Sequence, residues 1–333
     1  MNWNKGFSTS YYATFVDVNT WKDTERFEII SGTIAKSDSN LIESADIETR
    51  NYGENTEKWI RVWLDAKQAD SSEHVPLFTG LACSPSVSIN GTIFSNRLEC
   101  YSVLKPASDI LLPRGWYAQQ GVSGSHLVKK LLSVIPAPVV EIDNAPALTQ
   151  SIIAEDGESN LTMAIKILNA INWRFMINGN GIVFITPKPT TVTAYYDSAN
   201  NDGIEPTLEV QFDWYDCPNV FRAISDDMSA VARDDSPASK LSTVNRGREV
   251  WKEETSCDLS ETETIGAYAL RRLKEEQQKS TTISYSRRFN PDITIGDKVN
   301  LSYPAQGIIG AYTVMSQTIE LTHGAKTAEE VGA

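Results

Sequence analysis

The chain has 333 residues, 41% of them hydrophobic and 22% charged, a globular composition long enough for two or three domains. Its 43 acidic residues outnumber the 30 basic ones and give a formal net charge of −13, which argues against binding nucleic-acid phosphates through a broad basic surface. The sequence contains no apolar run of about 18 residues, and its first residues lack the pattern of a secretory signal, so we expect no membrane span.

Residues 1–115 are predicted to form an N-terminal β-barrel, because short apolar segments recur there at close spacing. In Trp59–Leu64, apolar Ile60, Val62 and Leu64 alternate with the other side chains, which indicates a strand. Asn90-Gly91 is a strong signal for a β-hairpin turn. The candidate strands are 11–18, 27–35, 45–49, 59–64, 76–83, 87–94 and 97–104.

Residues 116–190 are predicted to form a small α+β module of two helices and a hairpin. The first helix is predicted to be capped by Ser125 and to end at Pro136, and the second to begin near Ser159 or Asn160, because apolar residues follow at helical spacing. A short strand is expected at 151–154. The glycine-rich Asn178–Gly181 lies between two apolar segments and is interpreted as a hairpin turn rather than a phosphate-binding loop.

Residues 191–204 are interpreted as a linker or long loop, and 205–325 as a C-terminal β-barrel, followed by a polar tail at 326–333. Strands are expected at 208–214 and 220–225. The polar segment 230–248 is expected to be an exposed loop that orders on assembly. Ser260-x-x-Glu263 has the pattern of a capping box and predicts a helix over 261–279 with Ile265, Tyr268, Ala269 and Leu273 facing inward.

Paired carboxylates are the sharpest catalytic candidates. Asp213 and Asp216 flank Trp214 and Tyr215, an arrangement of acids and aromatic rings that is typical of sugar-cleaving sites. Acid pairs also arise by chance in so acidic a chain, and neighbouring acids on a strand point to opposite faces. The other pairs are Asp226-Asp227 and Asp234-Asp235. We expect no enzyme activity and no calcium site, and the sequence contains no specific nucleophile, phosphate-loop or zinc-protease motif.

The cysteines and histidines have no metal-binding spacing, so we expect no metal and no cofactor. The thiols are expected to be reduced and buried, although a bridge between Cys83 and Cys100 stays open if they lie on neighbouring strands. The residues concerned are Cys83, Cys100, Cys217, Cys257, His74, His126 and His323.

Three features together resemble the hub proteins of phage tails. The first is the helix-strand-turn-strand order of 260–324, with Pro291-x-Ile-x-Ile-Gly-Asp297 and Tyr312-x-Val314 as its firmest parts. The second is the helix 161–171, which leads into Trp173-x-Phe175 and a glycine turn. The third is the order barrel, α+β module, barrel. The resemblance covers about two-thirds of the chain, and its motifs are short.

The resemblance implies a mainly β fold with α+β parts, in which two tube-protein-like β-barrels flank the module. It implies a homotrimeric ring that joins a hexameric tail tube, or a distal tail protein, to a trimeric tip or spike protein. The passage through such a ring holds the C-terminus of the tape-measure protein and conducts DNA without binding it specifically. The expected location is the virion tail or baseplate, after assembly in the host cytoplasm.

An alternative of another class is a tail-associated carbohydrate-binding or glycoside-cleaving β protein that uses the acids near Trp214. The ring interpretation predicts a trimer whose function does not require the carboxylates of Asp213 and Asp216. The carbohydrate interpretation predicts that their replacement by asparagine abolishes turnover.

Overall fold

The computed structural model describes residues 1–37, 42–50, 52, 56–90, 93–142, 145–198, 204–225, 228–255, 257, 259, 263–278 and 280–332. Within these residues the chain forms twenty strands and five α-helices. The predicted fold class, mainly β with smaller α+β parts, is confirmed.

Six strands build the N-terminal barrel: β1 (Ser8–Val16), β2 (Asp23–Ser37), β3 (Glu43–Arg50), β4 (Lys58–Gln68), β5 (Ser71–Asn90) and β6 (Ile93–Ser102). Their order is β1-β4-β5-β6-β3-β2, and β1 also pairs with β2, so the sheet closes on itself. The predicted alternation in β4 is confirmed, since Ile60, Val62 and Leu64 are fully buried. Burying these side chains inside a closed sheet is the main source of the barrel's stability.

The two strands predicted at 76–83 and 87–94 do not exist as separate elements. Residues 71–90 form the single long strand β5, because a bulge between Ala82 and Ser84 bends the strand without ending it. The predicted turn residue Gly91 lies outside the described residues, but Asn90 pairs with Ile93 across the hairpin, as the Asn-Gly signal indicates.

The module consists of α1 (Lys105–Asp109), β7 (Tyr117–Ala118), α2 (Gly124–Leu131), a 3-10 turn (Leu132–Val134), β8 (Val139–Glu141), β9 (Ile152–Ile153), α3 (Asn160–Ala170), β10 (Trp173–Ile177) and β11 (Val183–Pro187). Ser159 caps α3 by accepting a hydrogen bond from the backbone N–H of Thr162, which settles the predicted start, near Ser159 or Asn160, on Ser159 as the cap. The prediction that Ser125 caps α2 is wrong. Ser123 occupies that position, and the Ser125 hydroxyl donates to Glu141 at 2.8 Å.

The remaining elements are β12 (Val192–Asp197), β13 (Ile204–Phe212), β14 (Val220–Ser225), β15 (Met228–Arg233), α4 (Thr243–Arg246), β16 (Trp251–Glu254), α5 (Ile265–Gln278), β17 (Thr281–Arg287), β18 (Lys298–Tyr303), β19 (Ile308–Glu320) and β20 (Thr327–Gly332). Six of these strands form the C-terminal sheet, in the order β12-β18-β19-β20-β17-β13. All six strands contribute side chains to one core that contains Tyr196, Ile204 and Val331. The sheet therefore curves around this core.

Two sequence predictions for this half are wrong. The segment interpreted as a polar tail, 326–333, contains β20, which is hydrogen-bonded between β17 and β19. Its inward residues include Thr327 and Glu329, so the strand lacks an apolar alternation. The segment interpreted as a linker, 191–204, contains β12, which pairs in parallel with β18. The proposed domain boundaries as such stay a prediction.

A small sheet, β15-β14-β16, packs against α5. The helix buries Tyr268, Ala269 and Leu273 and partly buries Ile265, as predicted, while its proposed capping residue Ser260 lies outside the described residues. The prediction that 230–248 is an exposed loop is wrong in part, because the segment contains the end of β15 and all of α4.

Strands β2 and β19 join the barrel to the C-terminal sheet, a pairing we call the junction. Ile34 lies opposite Ile319, and Lys36 lies opposite Gln317, in an antiparallel ladder. The order β6-β3-β2-β19-β20-β17 is therefore one continuous sheet that passes from one half of the molecule to the other. Among the described residues, no helix is long and apolar enough to cross a membrane.

Candidate functional site

The outer surface of the continuous sheet extends across both halves of the molecule. Its side chains alternate with buried ones, and the strand registers place them on a common side. We call this surface the hydroxyl face. It consists of Ser95, Arg97, Glu99, Ser44, Asp46, Glu48, Ser31, Thr33, Ala35, Ser316, Thr318, Glu320, Ala328, Glu330, Thr282, Ser284 and Ser286.

The side chains of the hydroxyl face are mostly small and polar, and its charged groups are mostly acidic. Most of its side chains are serine or threonine, five are carboxylates, and Arg97 is its single base. The Arg97 guanidinium is held by Asp46, with 2.8 Å between Nε and Oδ1. A shallow cavity of about 680 Å³ opens above Thr33 and Glu320, where the sheet crosses the junction. The surface therefore offers hydrogen-bonding groups and negative charge, but little that attracts phosphate.

The opposite side of the same sheet carries a row of buried polar side chains. Their positions are directly opposite one another on five successive strands: Glu43 on β3, Lys36 on β2, Gln317 on β19, Glu329 on β20 and Tyr285 on β17. The Lys36 ammonium lies 3.6 Å from the Glu43 carboxylate. Burial raises the pKa of Glu43 from 4.5 to about 7, against the opposing effect of Lys36. The row crosses the junction at the pair Lys36–Gln317. A shift of one residue between β2 and β19 would move these polar side chains to the other face, so the row favours the observed register.

The hairpin turn Asn178–Gly181 of the module docks on the barrel. The Arg61 guanidinium donates to the Asn180 carbonyl at 3.1 Å and to the Thr79 hydroxyl at 2.9 Å. Gly179 approaches so closely that an added Cβ would lie 1.7 Å from the Pro76 carbonyl oxygen. The turn was identified from the sequence, but its docking role was not. The sequence signal for this docking was Arg61, a basic residue that lies in β4 between Trp59 and Trp63.

The other end of the same hairpin holds the C-terminal sheet. Arg174 on β10 donates to the Ile295 carbonyl at 2.6 Å and to the Asp297 carboxylate at 2.8 Å. Asp297 also accepts from the backbone N–H of Thr294. Gly296, between Ile295 and Asp297 in the chain, has φ +76°, and an added Cβ would lie 2.2 Å from Arg174 Nη1. The Ile-Gly-Asp part of the motif thus binds Arg174, and its glycine leaves room for the guanidinium. We call the β10–β11 hairpin the strut, because it contacts the barrel at one end and the C-terminal sheet at the other.

The carboxylates proposed near Trp214 lie on an exposed loop and do not converge on a cavity among the described residues. Asp213 Oδ1 accepts from the backbone N–H of Tyr215 at 3.4 Å, and Asp216 is exposed. The loop itself is fixed from behind, because Arg246 donates to the Trp214 carbonyl at 2.6 Å. The arrangement presents aromatic rings and charge on a surface.

The other acid pairs do not form a site either. Asp234 accepts from the Ser239 hydroxyl at 2.5 Å and from Gln277 at 3.1 Å, and Asp235 binds Thr243 and Arg233, so both stabilise the fold of their loop. Asp226-Asp227 lies outside the described residues.

The cysteines form no disulfide, and neither they nor the histidines form a metal site among the described residues. Cys83 and Cys100 lie on the paired strands β5 and β6 as free thiols, and the thiol of Cys257 donates to the Glu254 carbonyl at 3.1 Å. Burial raises the pKa of Cys100 well above its usual value. His74 contacts Asp65 at 2.6 Å. Within the described part of the chain, no three His, Cys, Asp or Glu residues are grouped as metal ligands would be.

Solved structures with the same fold come from tail proteins. The tail protein from Neisseria meningitidis MC58 is 15% identical, with a TM-score of 0.71, over 99% of this chain and 97% of that one. The 43 kDa tail protein of prophage MuSo2 from Shewanella oneidensis is 13% identical, with a TM-score of 0.66, over 98% and 97%. The chain has the fold of phage tail proteins. No protein-family model matches the sequence, and no curated protein matches it.

The same fold occurs in a component of a secretion machine. An Escherichia coli component of the type VI secretion system, described as structurally similar to the T4 tail proteins gp27 and gp5, aligns with a TM-score of 0.53 and 8% identity over 92% of this chain and 74% of that one. The resemblance inferred from the sequence is thus confirmed at the level of fold.

Proposed function

We propose that this protein is a structural subunit of a phage tail or related injection machine, and that three copies form the hub ring between the tail tube and the tip or spike. The observation that carries the proposal is the hydroxyl face, which runs without interruption across the junction between both halves of the molecule. Two curved units joined by one sheet supply two adjoining segments of a ring wall. Three subunits then supply six segments, which matches a sixfold tube on one side and a threefold tip on the other.

The chemistry of the hydroxyl face suits the wall of a passage for DNA. Its five carboxylates repel phosphate, and its hydroxyl and methyl side chains are short, so a passing duplex meets a smooth surface that does not retain it. The proposed partners are the tube or a distal tail protein, the tip or spike, the C-terminus of the tape-measure protein, and DNA that passes without specific contacts. The proposed location is the virion tail or baseplate, and the proposed role requires no catalysis.

The experiment is imaging of the purified protein by cryo-electron microscopy, together with its mass by light scattering over a range of concentrations. The expected result is a threefold ring whose opening is lined by Thr33, Thr318 and Ser284 of each subunit. A monomer at every concentration, alone and with tail tubes, would overturn the proposal. So would a ring whose opening is lined by a different surface.

A charge test then addresses the passage. Replacing Thr33, Thr318 and Ser284 by lysine is expected to leave the ring intact and to create DNA binding that weakens as salt rises. The matched control places three lysines at exposed positions outside the hydroxyl face: Thr20, Ser133 and Ser236. If both triple variants bind DNA equally, the hydroxyl face does not line the passage.

A further inference from the structure

The continuous sheet ends in two strand edges that pair with no described residue. At one end, β4 pairs with β5 only as far as Ala82, so residues 84–90 of β5 pair with β6 on one side and have a free edge on the other. At the other end, β13 pairs with β17 alone. A free strand edge presents backbone N–H and C=O groups, which form a template for pairing with another chain.

The strands between the two free edges alternate in direction. The path β5-β6-β3-β2-β19-β20-β17-β13 has eight strands, and every pairing along it is antiparallel. The last strand therefore runs opposite to the first. If β13 of one copy lies beside β5 of the next, the two strands meet antiparallel, and the sheet continues with the same pattern of hydrogen bonds.

The two sides of β5 differ in chemistry along its free edge. Ser86 lies opposite Arg97, so Ser86 and Ser88 extend the line of the hydroxyl face. The alternate side chains, Val87 and Ile89, lie on the core side of the sheet and are 56% and 66% exposed. Exposed apolar side chains on the side that elsewhere forms the core indicate a surface that a partner covers.

The strand β13 has the same two sides. Glu209 lies opposite Ser284 and extends the hydroxyl face at this end. Leu208, Val210 and Phe212 lie on the core side, where Phe212 is 54% exposed. When the free edges of two copies are joined, polar side chains therefore lie beside polar ones and apolar side chains beside apolar ones.

The positions of the two edges along their strands fit a tilted wall. Successive Cα partners lead from Ala82 on β5 across the whole sheet to Ile204 on β13, so these two residues lie at one level. Strands in a closed wall are tilted by about 35–45°, which displaces each strand by about one residue from its neighbour and eight strands by about eight residues. A displacement of this size towards residue 90 sets Leu208 opposite Ile89 and Phe212 opposite Pro85. Without it, or in the other direction, β13 would meet residues of β5 that are already paired with β4.

We infer that β13 of one copy pairs antiparallel with residues 84–90 of β5 in the next copy, so that the hydroxyl face continues from subunit to subunit. In this register Glu209 lies opposite Ser88, and Val210 lies opposite Val87. The inference rests on the proposed threefold ring and names the two edges that join its subunits, which must differ because a ring is closed by head-to-tail contacts. The pairing satisfies the backbone groups of both edges and buries their exposed apolar side chains.

Disulfide trapping tests the register. In the double variant Ser88→Cys with Glu209→Cys, the two thiols lie on opposed residues of neighbouring copies, whose Cβ atoms are about 4.5–5.5 Å apart in antiparallel pairs, within reach of a disulfide. Mild oxidation of the assembled protein is expected to yield a covalent trimer on a non-reducing gel and monomers after reduction. The matched control, Val87→Cys with Glu209→Cys, places the thiols on opposite sides of the sheet and is expected to yield no trimer. Each single variant checks for bridges to the native thiol of Cys83.

A second measurement does not depend on thiols. Ile89→Asp is expected to lower the self-association constant about thirtyfold or more, whereas Ile309→Asp, at an exposed apolar residue away from both edges, leaves it unchanged. Circular dichroism checks that both variants are folded. A ring that forms without trapping the Ser88–Glu209 pair, or that tolerates Ile89→Asp, overturns this pairing and leaves the ring standing. Wild-type protein that does not self-associate at any concentration, alone or with tail tubes, overturns the ring and the pairing together.

Discussion

Arg287 Nη2 donates to Glu329 Oε1 at 2.5 Å, and both side chains are almost completely buried inside the C-terminal sheet. The same carboxylate oxygen accepts from Gln317 Nε2 on β19, so three strands meet at one charge. Desolvation opposes the charged guanidinium, but Glu329 outweighs it and raises the pKa of Arg287. The Arg287 guanidinium therefore stays charged in the fold, and each partner of the pair depends on the other.

Replacing Glu329 by glutamine is expected to destabilise the protein by about 3–5 kcal/mol, because it leaves the Arg287 cation buried without a counter-charge. Urea denaturation followed by tryptophan fluorescence measures the change. Glu320→Gln on the hydroxyl face is the control, and its effect is expected to stay within about 0.5 kcal/mol. Similar losses for the two variants would show that the buried pair contributes no more than an ordinary surface residue.

Gly179→Ala is expected to disrupt the docking of the strut on the barrel, because its Cβ cannot be placed beside the Pro76 carbonyl. The loss should exceed about 2 kcal/mol and should be accompanied by faster proteolysis near residues 178–181. The matched control is Gly266→Ala, in α5, where no atom lies within 4 Å of the added Cβ. That change is expected to stabilise the helix by about 0.5–1 kcal/mol. Equal effects of the two substitutions would contradict a tight contact at Gly179.

The raised pKa of Glu43 predicts a pH dependence of stability. The folded protein holds this proton up to about pH 7, whereas the unfolded chain releases it near 4.5. The contribution of Glu43 is therefore most favourable below pH 4.5 and decreases as the pH rises through 7, by up to about 3 kcal/mol. Glu43→Gln removes this component. The free energy of unfolding at pH 5 and pH 8 should thus differ less in the variant than in the wild type, and an unchanged difference would refute the shift.

Glu275 on α5 predicts the opposite dependence at low pH. Burial opposes its ionisation, yet Lys188, Arg271 and Arg272 together lower its pKa from 4.5 to about 2. The folded state therefore releases this proton more readily than the unfolded chain, so its stabilising contribution is full above about pH 4.5 and is lost as the pH falls towards 2. Glu275→Gln should flatten the acid limb of the stability profile between pH 5 and 3. Lys188→Met, which removes one of the partners, should flatten it in part.

Residue patterns predicted the regular elements well. Val220–Ser225 and the helix capped by Ser159 were predicted from apolar spacing and a capping residue, both local signals. β20 was missed because its inward positions include Glu329, whose burial is possible only after Arg287 and Gln317 arrive from distant strands. The hydroxyl face was missed for a related reason, since which serines share a surface depends on the registers between strands.

The motif Pro291-x-Ile-x-Ile-Gly-Asp297, on which the resemblance rests in part, makes a long-range contact that its pattern does not predict. Gly296 and Asp297 are fixed by Arg174, a residue more than a hundred positions earlier in the chain, and no local signal links them. The proposed acids near Trp214 fared differently. The backbone places Asp213 and Asp216 on an open surface beside the exposed rings of Trp214 and Tyr215.

The junction pairs Ile34 with Ile319, so the halves of the continuous sheet meet only when segments from distant parts of the chain come together. Contacts at such sequence separation close large loops and form slowly, in the range of milliseconds to seconds or longer. Until they form, residues 33–37 of β2 and 316–320 of β19 each have one unpaired edge, and the surface that crosses them does not exist. A growing or misfolded chain thus lacks a complete hydroxyl face, and in the proposed ring only a finished subunit can supply its part of the wall.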